Sequence, residues 1–271
     1  MLFPVLIACA TAPTEVPLPA PPVATEPAAL PPAAAAVAVT TDSALPVELT
    51  GTTGPIKATA VYHGTALVEA MGLRIWIDPW SKANLAGATA DVVLITDIHF
   101  DHFDVEALAK VLGPNTVVVA PPAVAEQYTT KKVGFILKNG EHAEVKGIGV
   151  DAVPMYNLVR GPEAGKLFHD PGRGNGYVLT IEGKRLYFAG DTECTPEMRA
   201  LANIDLAFVP MNLPYTMTPE ESAGCVAGFK PKQVVAYHYA GSNLSLFKAA
   251  LSAETAVTVL DRNAYPGGLP W

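Results

Sequence analysis

Beyond residue 55 the chain is regularly punctuated. Short apolar runs recur at 58–62, 66–70, 73–77 and 92–95, separated by Gly- and Asp-containing turns. Apolar runs this short, bounded by turn formers, predict strands rather than helices. Apolar positions take helical spacing at 105–112 and 122–129, with a strand predicted between them at 116–120. A second series of strands is predicted at 134–137, 141–145 and 148–154. Residues 177–181 and 185–189 predict a hairpin across Glu182-Gly183-Lys184. The remainder alternates: helix 196–202, strand 206–209, helix 219–228, strand 233–237, helix 244–251 and a last strand at 258–260. Strands followed by strand–helix alternation in each half imply a layered α/β arrangement.

The first 55 residues follow another pattern. Residues 1–9 are apolar and end in Leu6-Ile7-Ala8-Cys9, which resembles the bacterial lipobox, where the cysteine is lipidated after cleavage before it. A basic segment ahead of the apolar run is missing, which an upstream start codon would explain. Residues 10–55 are dominated by Ala, Pro, Thr and Val, and prolines at 13, 17, 19, 21, 22, 27, 31 and 32 favour an extended, solvated chain. Three parts are therefore expected: a lipoprotein-type signal over 1–9, a disordered tether over 10–55 and one folded domain over 56–271. A lipid on Cys9 would be the only membrane contact and would place the protein in the cell envelope, on its periplasmic or surface side. The alternative is a cytoplasmic protein with a fortuitous apolar start.

Composition narrows the partners. Half of the residues are hydrophobic, 16% are charged and the net charge is −8. Such a chain can bury a sizeable core, and its acidity argues against a nucleic-acid backbone as partner. The three cysteines, Cys9, Cys194 and Cys225, form no Cys-x-x-Cys pair, so a zinc knuckle is not expected. Cys194 and Cys225 are read as free or buried thiols, pairing being possible only in an oxidising compartment.

The chemistry concentrates after the run at 92–95. Asp97-Ile98-His99-Phe100-Asp101-His102 places two imidazoles and two carboxylates within one turn after a buried strand. This mixture of N and O donors suits a borderline divalent metal, and a loop needs none of it merely to turn. The segment resembles the His-x-His-x-Asp-His loop of the metallo-β-lactamase superfamily, with a carboxylate at the first position. Arg185–Thr192, ending Gly190-Asp191-Thr192, resembles that superfamily's strand-Gly-Asp-Thr element, and 234–239 its late strand ending in a histidine. Tyr62-His63-Gly64-Thr65-Ala66 and Trp76-Ile77-Asp78-Pro79-Trp80 resemble the branch of ascorbate-6-phosphate lactonases and N-acyl-phosphatidylethanolamine phospholipase D enzymes. The resemblance spans 57–262.

The resemblance implies an αββα sandwich with its site at one edge, and a metal-dependent hydrolase acting on an ester, lactone or phosphodiester through metal-activated water. It implies one or two divalent ions, zinc by default, with manganese or iron as alternatives. Asp97 and His99 would serve one ion, Asp101, His102 and His238 the other, and Asp191 would bridge them. Asp101 is also the candidate general base. A further superfamily histidine is missing from Val153-Pro154-Met155-Tyr156-Asn157, and His169 is the candidate donor in its place. His63, Asp78 and Arg173 are expected around these ligands or against a small-molecule or lipid-like substrate, and His142 is read as structural. The competing reading is a metal-binding protein of the same fold whose first site has decayed. A di-iron redox protein is a third option, which would carry a fuller ligand set.

Overall fold

The computed structural model describes residues 45–85, 89–129, 133–252, 257–260, 264–265 and 268–269. All lie within the compact unit Thr41–Trp271, so the signal, Cys9 and most of the tether fall outside the described residues.

The first half of the unit builds one seven-stranded sheet in chain order. Its strands are β1 (Val47–Thr50), β2 (Pro55–Tyr62), β3 (Thr65–Ala70), β4 (Leu73–Ile77), β5 (Ala90–Leu94), β6 (Leu112–Ala120) and β7 (Phe135–Ile136). β1 to β4 pair antiparallel, and β4 to β7 run parallel. Helix α1 (Val105–Val111) links β5 to β6, and α2 (Pro122–Gln127) links β6 to β7.

The second half builds a second seven-stranded sheet, again in chain order. Here β8 (His142–Val145), β9 (Ile148–Met155), β10 (Gly174–Ile181) and β11 (Lys184–Phe188) are antiparallel. β12 (Leu206–Val209), β13 (Gln233–Ala236) and β14 (Thr258–Leu260) extend it in parallel from β11. Helices α3 (Pro196–Arg199), α4 (Pro219–Phe229) and α5 (Leu244–Ser252) make the crossovers.

The burial pattern explains the layering. One core cluster joins Val68, Ile75, Ile77 and Leu94 of the first sheet to Ile148, Val150, Leu179, Phe188 and Phe208 of the second, and takes in Ala107, Leu108 and Val111 of α1. A second cluster joins Val178, Tyr187, Ala207 and Val234 to Ala223, Val226 and Phe229 of α4 and Phe247 of α5. Strands buried on both faces read as continuous apolar runs instead of alternating ones, as in β5 and β12. The αββα layering implied by the resemblance is therefore present.

Three expectations change. Val47–Thr50 is an edge strand paired with β2, so folded structure begins before residue 56; Val47 is buried there. The helix expected over 196–202 is one turn, α3, closed by Thr195 at its start. Cys194 and Cys225 are joined in a disulfide with Cα atoms 5.6 Å apart, not free thiols. The second-sheet fold lays α4 over the Cys194 segment and supplies the proximity that spacing in sequence could not reveal. No helix among the described residues is long and apolar enough to cross a membrane.

Candidate metal centre

Apart from His169 and Arg173, which lie on the loop leading into β10, the polar residues around the loop follow the carboxyl ends of strands. His63 follows β2, Asp78 follows β4, 97–102 follow β5, Asn157 follows β9, Asp191 follows β11 and His238 follows β13. Strand ends in such sheets leave a crevice where loops from both halves meet. His63, Asp78 and His238 hold left-handed backbone, with φ of 53°, 45° and 45°. Non-glycine residues rarely adopt this conformation, and where it clusters it marks a functional site. Gly190 has φ +66°, and a Cβ there would meet Thr96 Cβ at 3.2 Å, so glycine is what allows Asp191 to emerge against the metal loop.

The loop after β5 is wound tightly. His102 N and Phe103 N both donate to His99 O, at 3.0 and 2.8 Å, which turns Asp101 and His102 inward. Asp104 then caps α1 through Glu106 N and Ala107 N. Asp78 is fully buried and braces the turn: its Oδ1 accepts from Thr96 N at 2.8 Å, and its Oδ2 lies 2.7 Å from His102 Nδ1. Burial pushes the Asp78 carboxyl up, with His102 and Thr96 opposing.

Two groups of donors converge. Asp97 Oδ2 is 2.9 Å from His99 Nδ1 and 3.9 Å from His169 Nε2. Asp101 Oδ2 is 3.2 Å from His238 Nε2 and 3.7 Å from His102 Nε2. Asp191 stands between them, with Oδ2 3.4 Å from both His102 Nε2 and His169 Nε2, and Oδ1 3.2 Å from His238 Nε2. Five of the six histidines in the chain are thus gathered in one crevice. The sixth, His142, is exposed and lies against Asp151 and Glu144, in keeping with a structural role.

The donor set fits divalent ions. His102 Nε2, His169 Nε2 and Asp191 Oδ1 are buried and make no hydrogen bond among the described residues. Their close contacts lack hydrogen-bond geometry, so these atoms face a common space instead of one another. Two of the histidines are oriented from behind: Asp78 holds Nδ1 of His102, and Asn157 Oδ1 holds Nδ1 of His169 at 2.6 Å. An oxygen on Nδ1 leaves the Nε2 lone pair for a metal. His63 Nδ1 lies 2.7 Å from the Tyr265 hydroxyl and its Nε2 3.2 Å from Asp101 Oδ2.

The electrostatics are those of a site built for cations. Burial alone would raise the carboxyls of Asp97, Asp101 and Asp191. The surrounding imidazoles, with Arg173 at Asp97, instead hold all three below the usual carboxylate range. Burial would lower His102, but Asp191, Asp101 and Asp78 hold it well above the ordinary histidine value. His63 is pushed down to about 4, by burial first and by neighbouring His238 second.

The structure brings together Asp97, His99, Asp101, His102, Asp191 and His238, and adds His169 from the loop before β10. His169 comes from a loop after β9, as loops are free to do, and its imidazole lies 3.9 Å from Asp97 and 3.4 Å from Asp191. Arg173 turns onto Asp97, with Nε 3.0 Å from Oδ1 and Nη2 2.9 Å from Oδ2. Asn157 and Tyr265 were not anticipated as orienting groups. Asn157 lay in the segment searched for a histidine, and a buried amide there was the available signal; nothing in the sequence pointed to Tyr265.

The fold and this crevice together define a class. Residues 58–238 match the β-lactamase superfamily domain. A UPF0173 metal-dependent hydrolase of Thermococcus onnurineus is 35% identical over 192 residues, covering 66% of this chain and 83% of that protein. A candidate metal-dependent hydrolase of Parabacteroides distasonis has a solved structure that matches with TM-score 0.74 and 34% identity, over 81% of this chain and 98% of that one. The metallo hydrolase Igni18 of Ignicoccus hospitalis shares the fold, with TM-score 0.64 at 22% identity, over 78% of this chain and 96% of that one. The chain belongs to the β-lactamase superfamily and, within it, to the UPF0173 metal-dependent hydrolases.

Proposed function

We propose that this protein hydrolyses an ester, lactone or phosphodiester of a small-molecule or lipid-like substrate, using one or two divalent ions with zinc as the default. The observation that carries the reading is the convergence of His102 Nε2, His169 Nε2 and Asp191 Oδ1, buried and without hydrogen bonds, on one crevice. Asp97, His99 and His169 would hold one ion, Asp101, His102 and His238 the other, with Asp191 shared. Bound there, the ions supply Lewis acidity toward the scissile oxygen and activate water.

The chain's own residues do the rest. Asp101 stays ionised, as a proton acceptor must, and His63 and His238 fix the direction of its Oδ2. Asp78 and Asn157 keep His102 and His169 in one tautomer. Exposed Phe100 lies inside the metal loop, and exposed Leu158, Val159 and Tyr215 lie beside the Asn157 turn. Apolar side chains left in water at such positions suit an apolar substrate better than a sugar or a nucleic acid.

The His169 imidazole beside Asp97 and Asp191 favours an intact first site over a decayed one. Elemental analysis of the purified protein, followed by turnover of p-nitrophenyl esters, a lactone and bis-p-nitrophenyl phosphate with and without chelator, tests the proposal. We expect up to two ions per chain and a turnover that chelator abolishes. Metal-free protein as isolated, or turnover indifferent to chelator, defeats it.

The Cys9 lipid and the envelope location are part of the same proposal. The Cys194–Cys225 disulfide supports them, since such bonds persist in oxidising compartments. Fatty-acid labelling of cells expressing the protein from its true start should mark wild type and not Cys9→Ser; an unlabelled wild type in the cytosolic fraction would overturn the anchor.

A further inference from the structure

We propose that Asp97 and Arg173 form one electroneutral unit in the first ion site, with Arg173 as its positioning residue; this rests on the metal reading above. The first position of the loop carries a carboxylate where the resembling motif has an imidazole. A neutral donor has thus become an anion in a fully buried position. An isolated buried carboxylate is costly, and a planar guanidinium is the cation best shaped to offset it.

The geometry supplies that cation. Arg173 Nε donates to Asp97 Oδ1 at 3.0 Å and Nη2 to Oδ2 at 2.9 Å, a two-pronged contact. Nη2 also donates to Phe168 O at 2.9 Å, and Arg173 N to Asp170 O at 3.2 Å, so the arginine is itself clamped. Its side chain is mostly buried. Each carboxylate oxygen takes one prong of the fork, and the two differ in what else they meet. Oδ2 also lies 2.9 Å from His99 Nδ1 and 3.9 Å from His169 Nε2, so it is the oxygen on the side where an ion would bind.

The backbone is arranged for this approach. Asn175 N donates to Thr96 O at 2.9 Å, which ties the start of β10 to the residue before Asp97. Gly174 permits it, because a Cβ there would lie 2.8 Å from Thr96 O. Arg173, one residue earlier, is therefore delivered to Asp97 by main-chain pairing. The same contact takes Arg173 away from a substrate-binding role. It also means that the two half-sites carry matching donors: each has two imidazoles and one terminal carboxylate, around shared Asp191.

The test is chelator competition on the purified, metal-loaded full chain, read as ions released per chain, for wild type, Arg173→Gln, Arg173→Lys, Asp97→His and the double variant Asp97→His/Arg173→Gln. Circular dichroism establishes that each is folded. We expect Arg173→Gln to weaken one ion by about 10–100-fold, the range for losing a partner of a ligand, and to leave the other within about threefold. Arg173→Lys keeps the charge but loses the fork, so its loss should be intermediate; it decides the matter should Arg173→Gln not fold. Asp97→His alone should bind no tighter than wild type, because it strands a buried guanidinium against an imidazole. The double variant should bind tighter than either single one. Wild-type affinity for both ions in Arg173→Gln and Arg173→Lys, or a gain from Asp97→His alone, overturns the unit. A wild type that holds no ion at all defeats the metal reading instead, and the unit with it.

Discussion

The two donor groups in the crevice are built differently. Asp101 and His102 share the loop after β5 with Asp97 and His99, His238 follows β13 directly, and Asp78 braces His102 from the end of β4. The first group alone is completed by a long excursion. His169 arrives on the loop between β9 and β10, and that loop is held by Asn157, by Arg173 and by Glu193, whose Oε2 accepts from Leu158 N and Val159 N. Arg160 ties Glu193 to Glu221 of α4. A site made of strand ends inherits the rigidity of the sheet, whereas one completed by a loop is only as firm as the contacts beneath that loop. The first group should therefore be the more easily emptied of the two.

Asp191 is the one residue both groups share, so its replacement should abolish the difference by emptying both. Asp191→Asn is expected to remove most bound metal and to cut hydrolysis by at least about a thousandfold, the scale of several kcal/mol of lost Lewis-acid stabilisation. Full metal content in that variant, by elemental analysis, would break the comparison at its root.

The disulfide bears on the same loop, because Cys194 adjoins Glu193 and lies just after Asp191. Replacing Cys194 and Cys225 together by Ser should cost about 2–4 kcal/mol for a closed loop of this size. Thermal melting should show the lowered midpoint, and the first-group ion should be lost to chelator before the second. Equal loss of both ions would mean that the loop is not the weak partner.

His63 sharpens the comparison from the second group's side. Its folded value of about 4 lies below the ordinary 6.5, so the native state resists protonation more than the unfolded chain does. Stability from this residue is present above about pH 6.5 and is lost as pH falls toward about 4. With chelator present, wild type should lose roughly 3 kcal/mol more than His63→Gln between pH 7 and pH 4. His102, raised by its carboxylates, contributes with the opposite sign: its stabilisation is complete below about pH 6.5 and fades as pH rises through its elevated folded value. Parallel pH profiles for wild type and His63→Gln in denaturant melts would refute the assignment to His63.

The smallest expected effect falls on Asn157. Asn157→Ala frees His169 Nδ1 and should weaken the first-group ion by about tenfold while the second is retained, as chelator competition would read. If both ions weaken together, Asn157 supports the whole crevice and not one half of it.

By itself the sequence determined most of the strands and helices along the chain and the layered α/β class, and, through the family resemblance, most of the candidate donors. Apolar runs such as 73–77 and 92–95 are dictated by burial, and a loop packed with two Asp and two His has chemistry that local pattern alone makes plain. Tertiary structure decided the rest. Whether His169 reaches Asp191, whether Arg173 faces a substrate or Asp97, and whether Cys194 meets Cys225 all turn on contacts between segments far apart in the chain. Those distances are set by how two sheets pack and how loops cross their strand ends. Local propensity carries no information about either, because a loop residue's own sequence neighbours do not choose what lies across the crevice from it.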